Sequence, residues 1–209
     1  GERKILIAMN AEKILKKEER LQKLVNANIG YPDGIGAVMA LRQKGLNAVK
    51  IPGAEFWLDI IGRYKDKKSF YLVGSSQQVI DQTVAKLRRD FPDIDIKGYR
   101  NGYLKPEDIE TLKEDLTDTK PDVVFVAQGS PRQEFLMDEL IKVHPALYMG
   151  LGGSFDLYIG KTKPVPEWWK KSFKWEGLYR SINEIGNISR WKRQIKVLRF
   201  VYLYLSKGF

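Results

Sequence analysis

The run Tyr31-Pro32-Asp33-Gly34-Ile35-Gly36 places one carboxylate in a Pro/Gly turn directly ahead of an apolar stretch, Ile35 to Leu41, that reads as a helix. Proline fixes the approach and glycine permits the turn, so the backbone holds Asp33 at a mouth rather than in a core. An acid held that way can accept a proton from an attacking hydroxyl. Aspartate is also a favoured helix N-cap, and capping is the plain structural alternative. Other chemistries are bounded by composition. The chain has no cysteine, which excludes disulfides, thiolate metal sites and cysteine nucleophiles. His144 is the only histidine, so no histidine cluster can bind a metal. It lies in Val143-His144-Pro145, where a structural role is expected.

Three further segments carry small residues where a strand hands over to a helix. They are Leu72-Val73-Gly74-Ser75-Ser76, Ala127-Gln128-Gly129-Ser130-Pro131-Arg132-Gln133-Glu134 and Met149-Gly150-Leu151-Gly152-Gly153-Ser154-Phe155-Asp156. In a parallel sheet such turns share the C-terminal edge, where open α/β folds bind ligands, and main-chain N–H groups at helix starts favour an anion such as phosphate. None is a dinucleotide fingerprint or a P-loop, and each alone has a structural explanation. Three at one edge, together with the Asp33 turn, point to a nucleotide-phosphate site. Asp93-Ile94-Asp95, the sole DxD pattern, opens a strand and so falls away from that edge; no metal site is expected there.

The elements that must position these residues alternate. Lys4–Met9, Phe70–Val73, Ile94–Tyr99, Asp122–Ala127 and Ala146–Met149 are short apolar runs that read as buried strands. Lys16–Ala27, Gly34–Lys44, Ala54–Tyr64, Gln77–Asp90, Pro106–Thr117 and Pro131–Val143 have helical spacing. The expectation is an α/β, Rossmann-like layered domain with a largely parallel sheet over residues 1–160, followed by a basic helical appendage over residues 161–209. The chain opens within a strand, and residues preceding Gly1 in the natural protein are expected.

Charge divides the chain in the same place. Residues 1–160 carry 24 basic and 23 acidic side chains, whereas residues 161–209 carry 12 basic and 3 acidic ones. A near-neutral body with a basic arm is built to meet a polyanion. In Arg190–Ser206, Trp191, Ile195, Leu198, Tyr202 and Leu205 recur at steps of four, three, four and three, with Lys192, Arg193, Lys196 and Arg199 opposite. Such a helix suits an anionic bilayer surface; the alternative is packing of its apolar stripe on the body. No apolar run reaches the roughly 20 residues of a membrane span. A nucleic-acid-binding protein with aromatic residues interleaved in a basic tail is the rival class, disfavoured by the continuous apolar stripe. Trp168 and Trp169 are available for contact with a second copy.

Asn10-Ala11-Glu12-Lys13, Pro32-Asp33-Gly34-Ile35-Gly36, Ile51-Pro52-Gly53-Ala54-Glu55, Phe70-Tyr71-Leu72-Val73-Gly74, Gly102-Tyr103, Gly129-Ser130-Pro131-Arg132-Gln133-Glu134, Gly152-Gly153-Ser154-Phe155-Asp156 and Leu178-Tyr179-Arg180 occur in that order across the chain. In these motifs the sequence resembles the WecG/TagA/CpsF family of bacterial glycosyltransferases. Asn10-Ala11-Glu12-Lys13 and the run Val143 to Gly150 look most like the branch that transfers N-acetylmannosaminuronic acid. The resemblance implies an inverting transferase that moves a sugar from a UDP-sugar to an undecaprenyl-diphosphate-linked GlcNAc, peripheral on the cytoplasmic face of the inner membrane, with no metal or other cofactor and no nucleic acid partner. Donors of the same family, UDP-ManNAc or UDP-glucose, are the alternatives. It implies Asp33 as general base, Asn10 and Gln133 around sugar and acceptor, and Tyr103, beside Gly102, with Asp156 near the uridine. Lys50 stands where the family has an arginine, Ala8 where a related branch has a threonine, and Pro164 and Gly177 where an arginine and a tryptophan are expected.

Inverting transfer needs one base on the acceptor hydroxyl and cationic or N–H donors on the departing diphosphate. Asp33 fits the first role. Gly74, Gly129, Ser130 and Gly153 in the turns, with Lys50, Arg132 or a residue of the basic arm, fit the second. Arg180, Arg190, Lys192 and Arg193 are candidates for gripping a lipid diphosphate, and Lys196 and Arg199 for meeting the membrane.

Overall fold

The computed structural model describes residues 4–163, 165, 166, 168, 169, 178, 179, 182 and 188–206. Six strands form one sheet in the order β2-β1-β6-β5-β3-β4: β1 Lys4–Met9, β2 Ile29–Pro32, β3 Ser69–Gly74, β4 Asp95–Arg100, β5 Val123–Ala127 and β6 Leu147–Gly150. The pairings β1 with β6, β6 with β5, β5 with β3 and β3 with β4 are all parallel. Helices flank the sheet, as the expected α/β layering requires. The chain divides into two compact units, one of Gly1–Ala8, Glu19–Gly30 and Gly53–Thr162, the other of Met9–Glu18, Tyr31–Pro52 and Lys163–Phe209.

The first unit holds α2 Glu19–Ala27, α4 Gly53–Tyr64, α5 Gln77–Asp90, α6 Pro106–Thr119, α7 Arg132–Val143 and α8 Ser154–Tyr158. Every residue of β3 and β5 is buried, which explains their unbroken apolar sequence: strands covered on both faces lose the polar alternation of a half-exposed sheet. Phe70 stacks on Phe125 at 5.9 Å, and Trp57 of α4 meets Phe125, Phe155 and Tyr158 edge-on at 5.4–5.6 Å. Burial of Trp57, with its indole N–H donated to the Ala54 carbonyl at 3.0 Å, locks α4 to this cluster.

The second unit holds α1 Ala11–Ile14, α3 Ile35–Gln43 and α9 Ile188–Leu205. These three helices meet at Gly36. A Cβ there would stand 2.8 Å from Ala11 Cβ and 3.3 Å from Phe200 Cε1, so only glycine lets α1 and α9 approach α3 this closely. Phe200 is fully buried at the junction and Gln194 is 7% exposed, while the Lys196 ammonium donates to Glu12 at 2.9 Å. Four of the five residues of the apolar stripe read from the sequence are not on the packed face of α9: Ile195, Leu198, Tyr202 and Leu205 are 57–73% exposed, and the side chain of Trp191 lies outside the described residues.

Three departures from the sequence reading have local causes. β2 is a four-residue edge strand of Ile-Gly-Tyr-Pro, with too little apolar patterning to be read as one. The helix expected over Lys16–Ala27 starts at Glu19. A separate single turn, α1, forms upstream because Asn10 Oδ1 caps it by accepting the Lys13 N–H at 2.9 Å. Five-residue α8 is too short to show periodicity.

Phe200→Ala removes the side chain that fills the α1–α3–α9 junction and should cost about 3–5 kcal/mol locally. Hydrogen exchange should show α1 and α3 amides losing protection while β3 and β5 keep theirs; unchanged protection of α3 would mean that α9 does not brace it.

Candidate functional site

In the first unit the turns after β3, β4, β5 and β6 are laced to one another by main-chain bonds. Gly74 has φ +148°, and a Cβ on it would lie 2.4 Å from the Ala127 carbonyl oxygen, so β3 and β5 end in direct backbone contact. The Ser75 N–H donates to that same carbonyl at 3.1 Å, and Gly102 N–H donates to Ser75 O at 2.8 Å. A Cβ on Gly102 would meet Gly74 Cα at 2.9 Å. Gln128 closes the ring by donating from Nε2 to the Gly102 carbonyl at 2.7 Å. Ser75 itself sits at φ +55°, a left-handed conformation that a non-glycine residue adopts only when its surroundings hold it there.

Gln133 performs the same service one turn further on. It is 4% exposed, and its Oε1 accepts the N–H of Gly129 at 3.1 Å and that of Gly152 at 2.9 Å. One side chain thus pins the β5–α7 turn to the β6–α8 turn. Its Nε2 donates to the buried Glu134 carboxylate at 3.2 Å. The sequence reading placed Gln133 among substrate contacts; the structure has it bonded to main chain inside the fold.

Asp156, at the start of α8, accepts from Ser75 Oγ at 3.0 Å and pairs with the Lys161 ammonium at 3.0 Å. Tyr103 is 75% exposed, with its N–H donated to Asn101 Oδ1 at 3.0 Å, so its ring stands out as a free aromatic face beside buried Gly102. Ser130, Arg132 and Gly153 are also exposed. The first unit therefore gathers Gly74, Gly102, Tyr103, Gly129, Gln133 and Asp156 into one bonded network at the C-terminal edge of the sheet. Sequence reasoning missed Ser75, Gln128 and Lys161. Ser75 and Gln128 each adjoin a glycine of a turn that was singled out, and Lys161 was counted only with the basic arm.

α8 is held from below. Tyr158 donates its hydroxyl to Asp90 at 2.7 Å, and Lys86 pairs with the same carboxylate at 2.7 Å while standing 4.4 Å over the Tyr158 ring. The Lys86 ammonium and the Tyr158 hydroxyl hold the Asp90 carboxyl down to about 2, from an ordinary 3.8.

The second unit gathers the remaining sequence candidates. The Asp33 N–H donates to the Met9 carbonyl at 3.0 Å, and the Ile51 N–H donates to the Pro32 carbonyl at 2.8 Å. A Cβ on Gly34 would touch Asn10 Cβ at 3.5 Å. Main-chain bonds thus bring Asn10, Asp33 and Lys50 together from three separate stretches of sequence. The N-cap of α3 is Gly34, so Asp33 stands one residue ahead of the capping position, half-buried. Arg180 lies outside the described residues, as do the side chains of Arg190, Lys192 and Arg193. Lys196 and Arg199 are exposed on α9.

His144 is buried, with Nε2 2.7 Å from the Pro121 carbonyl oxygen, and it serves the fold. Asp95 opens β4 and pairs with Lys97 at 2.9 Å, and Asp93 pairs with Lys65 at 3.6 Å. Among the described residues no three His, Cys, Asp or Glu side chains are grouped to hold a metal ion.

Two substitutions test this architecture. Gln133→Leu strands the Gly129 and Gly152 N–H groups and should destabilise by about 1–3 kcal/mol in urea titration; unchanged stability would mean the turns hold without it. Asp90, whose folded value is depressed, contributes stability that is complete above about pH 4 and lost as pH falls through about 2. Asp90→Asn should therefore flatten that part of the acid-unfolding curve, with a small effect because the carboxylate is partly exposed; a curve of unchanged shape would show that Asp90 does not anchor α8.

A carboxylate fixed ahead of a helix and a laced set of glycine turns with an exposed aromatic are arrangements suited to activating a hydroxyl and to holding a nucleotide. The model of the Glycosyl transferase WecG/TagA/CpsF family matches residues 1–209, the whole of the chain, and the protein is accordingly a member of that family of glycosyltransferases.

Proposed function

We propose that this member of a family that works in cell-envelope polysaccharide synthesis, with a sugar donor and a lipid-linked acceptor, is an inverting, UDP-sugar-dependent transferase that places an N-acetylmannosamine-type sugar, N-acetylmannosaminuronic acid, on undecaprenyl-diphosphate-linked GlcNAc without a metal. Asp33 takes the proton of the acceptor hydroxyl as its oxygen bonds to the anomeric carbon. The bond from that carbon to the diphosphate breaks, and UDP leaves with the electron pair. The observation that carries this reading is the placement of Asp33: half-buried, one residue ahead of the helix cap, and clamped through its own N–H beside Asn10.

In the first unit, the turns at Gly74, Gly129 and Gly153 with Ser130 and Arg132 hold the diphosphate, the Tyr103 ring stacks on the uracil, and Asp156 accepts from the ribose. Gln133 supports this by fixing two of the turns that are to meet the sugar nucleotide. Lys50 adds a cation for the leaving group, though a lysine lacks the two-pronged geometry of an arginine.

The exposed apolar stripe of α9, with Lys196 and Arg199 beside it, supports attachment to an anionic membrane surface at the cytoplasmic face. No helix among the described residues is long and apolar enough to cross a membrane. Nucleic acid is the weaker partner, because a helix serving a phosphate backbone has no use for four outward apolar side chains.

Asp33→Asn keeps the shape of the turn and removes the base. It should lower kcat about 10²–10⁴-fold while UDP affinity, measured by calorimetry, stays within a factor of two or so. Full activity of the variant would end the assignment. The same assay, run with several UDP-sugars on a lipid-diphosphate-GlcNAc analogue and read by mass spectrometry, identifies the donor.

A further inference from the structure

The segment that joins α3 to α4 is pinned at its two ends and pushes two apolar side chains outward between them. α3 closes with Gly45 at φ +79°, the Gly45 N–H donating to Arg42 O at 2.9 Å and the Leu46 N–H to Leu41 O at 3.1 Å. This is the paired bonding of a Schellman cap, in which the residue after the glycine commonly turns back onto the helix. Here that residue, Leu46, is 55% exposed. Ala48 is the inward anchor, 8% exposed, with its carbonyl accepting from Arg42 Nε at 3.1 Å. Val49, next to it, is 65% exposed. Two residues on, the Ile51 N–H bonds to Pro32 O, immediately before Asp33.

Single exposed apolar side chains are ordinary, but two held outward on a bonded loop with basic neighbours are a different matter. From Arg42 to Ile51 there are three basic residues, Arg42, Lys44 and Lys50, and no acidic one. The charge selects an anionic partner, and Leu46 with Val49 selects one that has an apolar layer beneath its charge. We propose that residues 44–49 are a second lipid-contacting element, separate from α9, in which Leu46 and Val49 enter an anionic bilayer interface and Arg42 and Lys44 meet its phosphates. The proposal rests on the reading of a membrane-borne acceptor and extends it. The loop that touches lipid is tied by two hydrogen-bonded residues to the turn that carries the base, so the base is held at a fixed height over the interface from which the acceptor diphosphate emerges.

The absence of cysteine makes a direct test available. Val49→Cys, Leu198→Cys on α9 and Thr117→Cys on α6 are each labelled with an environment-sensitive fluorophore in the full chain. They are then mixed with vesicles of phosphatidylglycerol and phosphatidylethanolamine in equal parts, or of phosphatidylcholine alone. The proposal expects a blue shift at Val49 with the anionic vesicles only, and none at Thr117. A shift at Leu198 without one at Val49 would overturn the loop while leaving α9 as the membrane contact. No shift at either position would overturn both lipid contacts. Equal shifts at all three positions, or a concentration-dependent shift at Val49 without vesicles, would overturn it in favour of nonspecific adsorption or a second copy of the chain. The double change Leu46→Asn, Val49→Asn should weaken vesicle partitioning about tenfold with UDP affinity unchanged. UDP affinity and Asp33-dependent turnover on a water-soluble acceptor test the transferase reading separately, so that either idea can fail alone.

Discussion

The hydrogen bond from the Asp33 N–H to the Met9 carbonyl fixes the piece of backbone on which the proposed chemistry turns. It joins the end of β1 to the turn before α3, and the neighbouring bond from Ile51 to Pro32 ties in the strand of chain that bears Lys50. Both bonds are made by main-chain groups, so they fix the backbone on either side of the Asp33 turn. A carboxylate on a free loop would sample many orientations for each productive one. Placed on a backbone clamped from two sides, it has less of that freedom to lose, which is what the proposed proton transfer needs.

The first unit solves a related problem with glycines. Turns on neighbouring strands that are proposed to hold one ligand need to stay in register with one another, and side chains between them would hold them apart. At Gly74 and Gly102 the absence of a Cβ allows backbone to touch backbone, and Gln133 bridges the next pair of turns through one oxygen. The strain stored in Ser75 is sustained by this lacing and aims its hydroxyl at Asp156.

Much of this was legible in the residues. The buried strands β3 and β5 announced themselves as unbroken apolar runs, and Gln77–Asp90 has the same bounds in both readings because Ser76 caps it and its apolar spacing is regular. The Asp33 turn was visible because Pro and Gly have few other reasons to flank an acid before a helix. What escaped was of two kinds. β2 and α8 are too short for any periodicity to accumulate. Contacts between distant segments, such as Gln133 with Gly152 or Phe200 with Gly36, leave no mark on local sequence at all. Periodicity did locate the apolar stripe of α9, but it gave no sign that the stripe faces outward, since a helix buried by Phe200 and Gln194 on its other side has the same spacing.

The ion pair between Lys196 and Glu12 spans 184 positions of the chain, and Phe200 reaches back to Gly36 over almost as many. The second unit is assembled from Met9–Glu18, Tyr31–Pro52 and Lys163–Phe209, with most of the sheet encoded in between. During synthesis the sheet-forming stretches therefore emerge well before α9 does. The turn bearing Asp33 gains the packing of Phe200 on Gly36 only once α9 has been made.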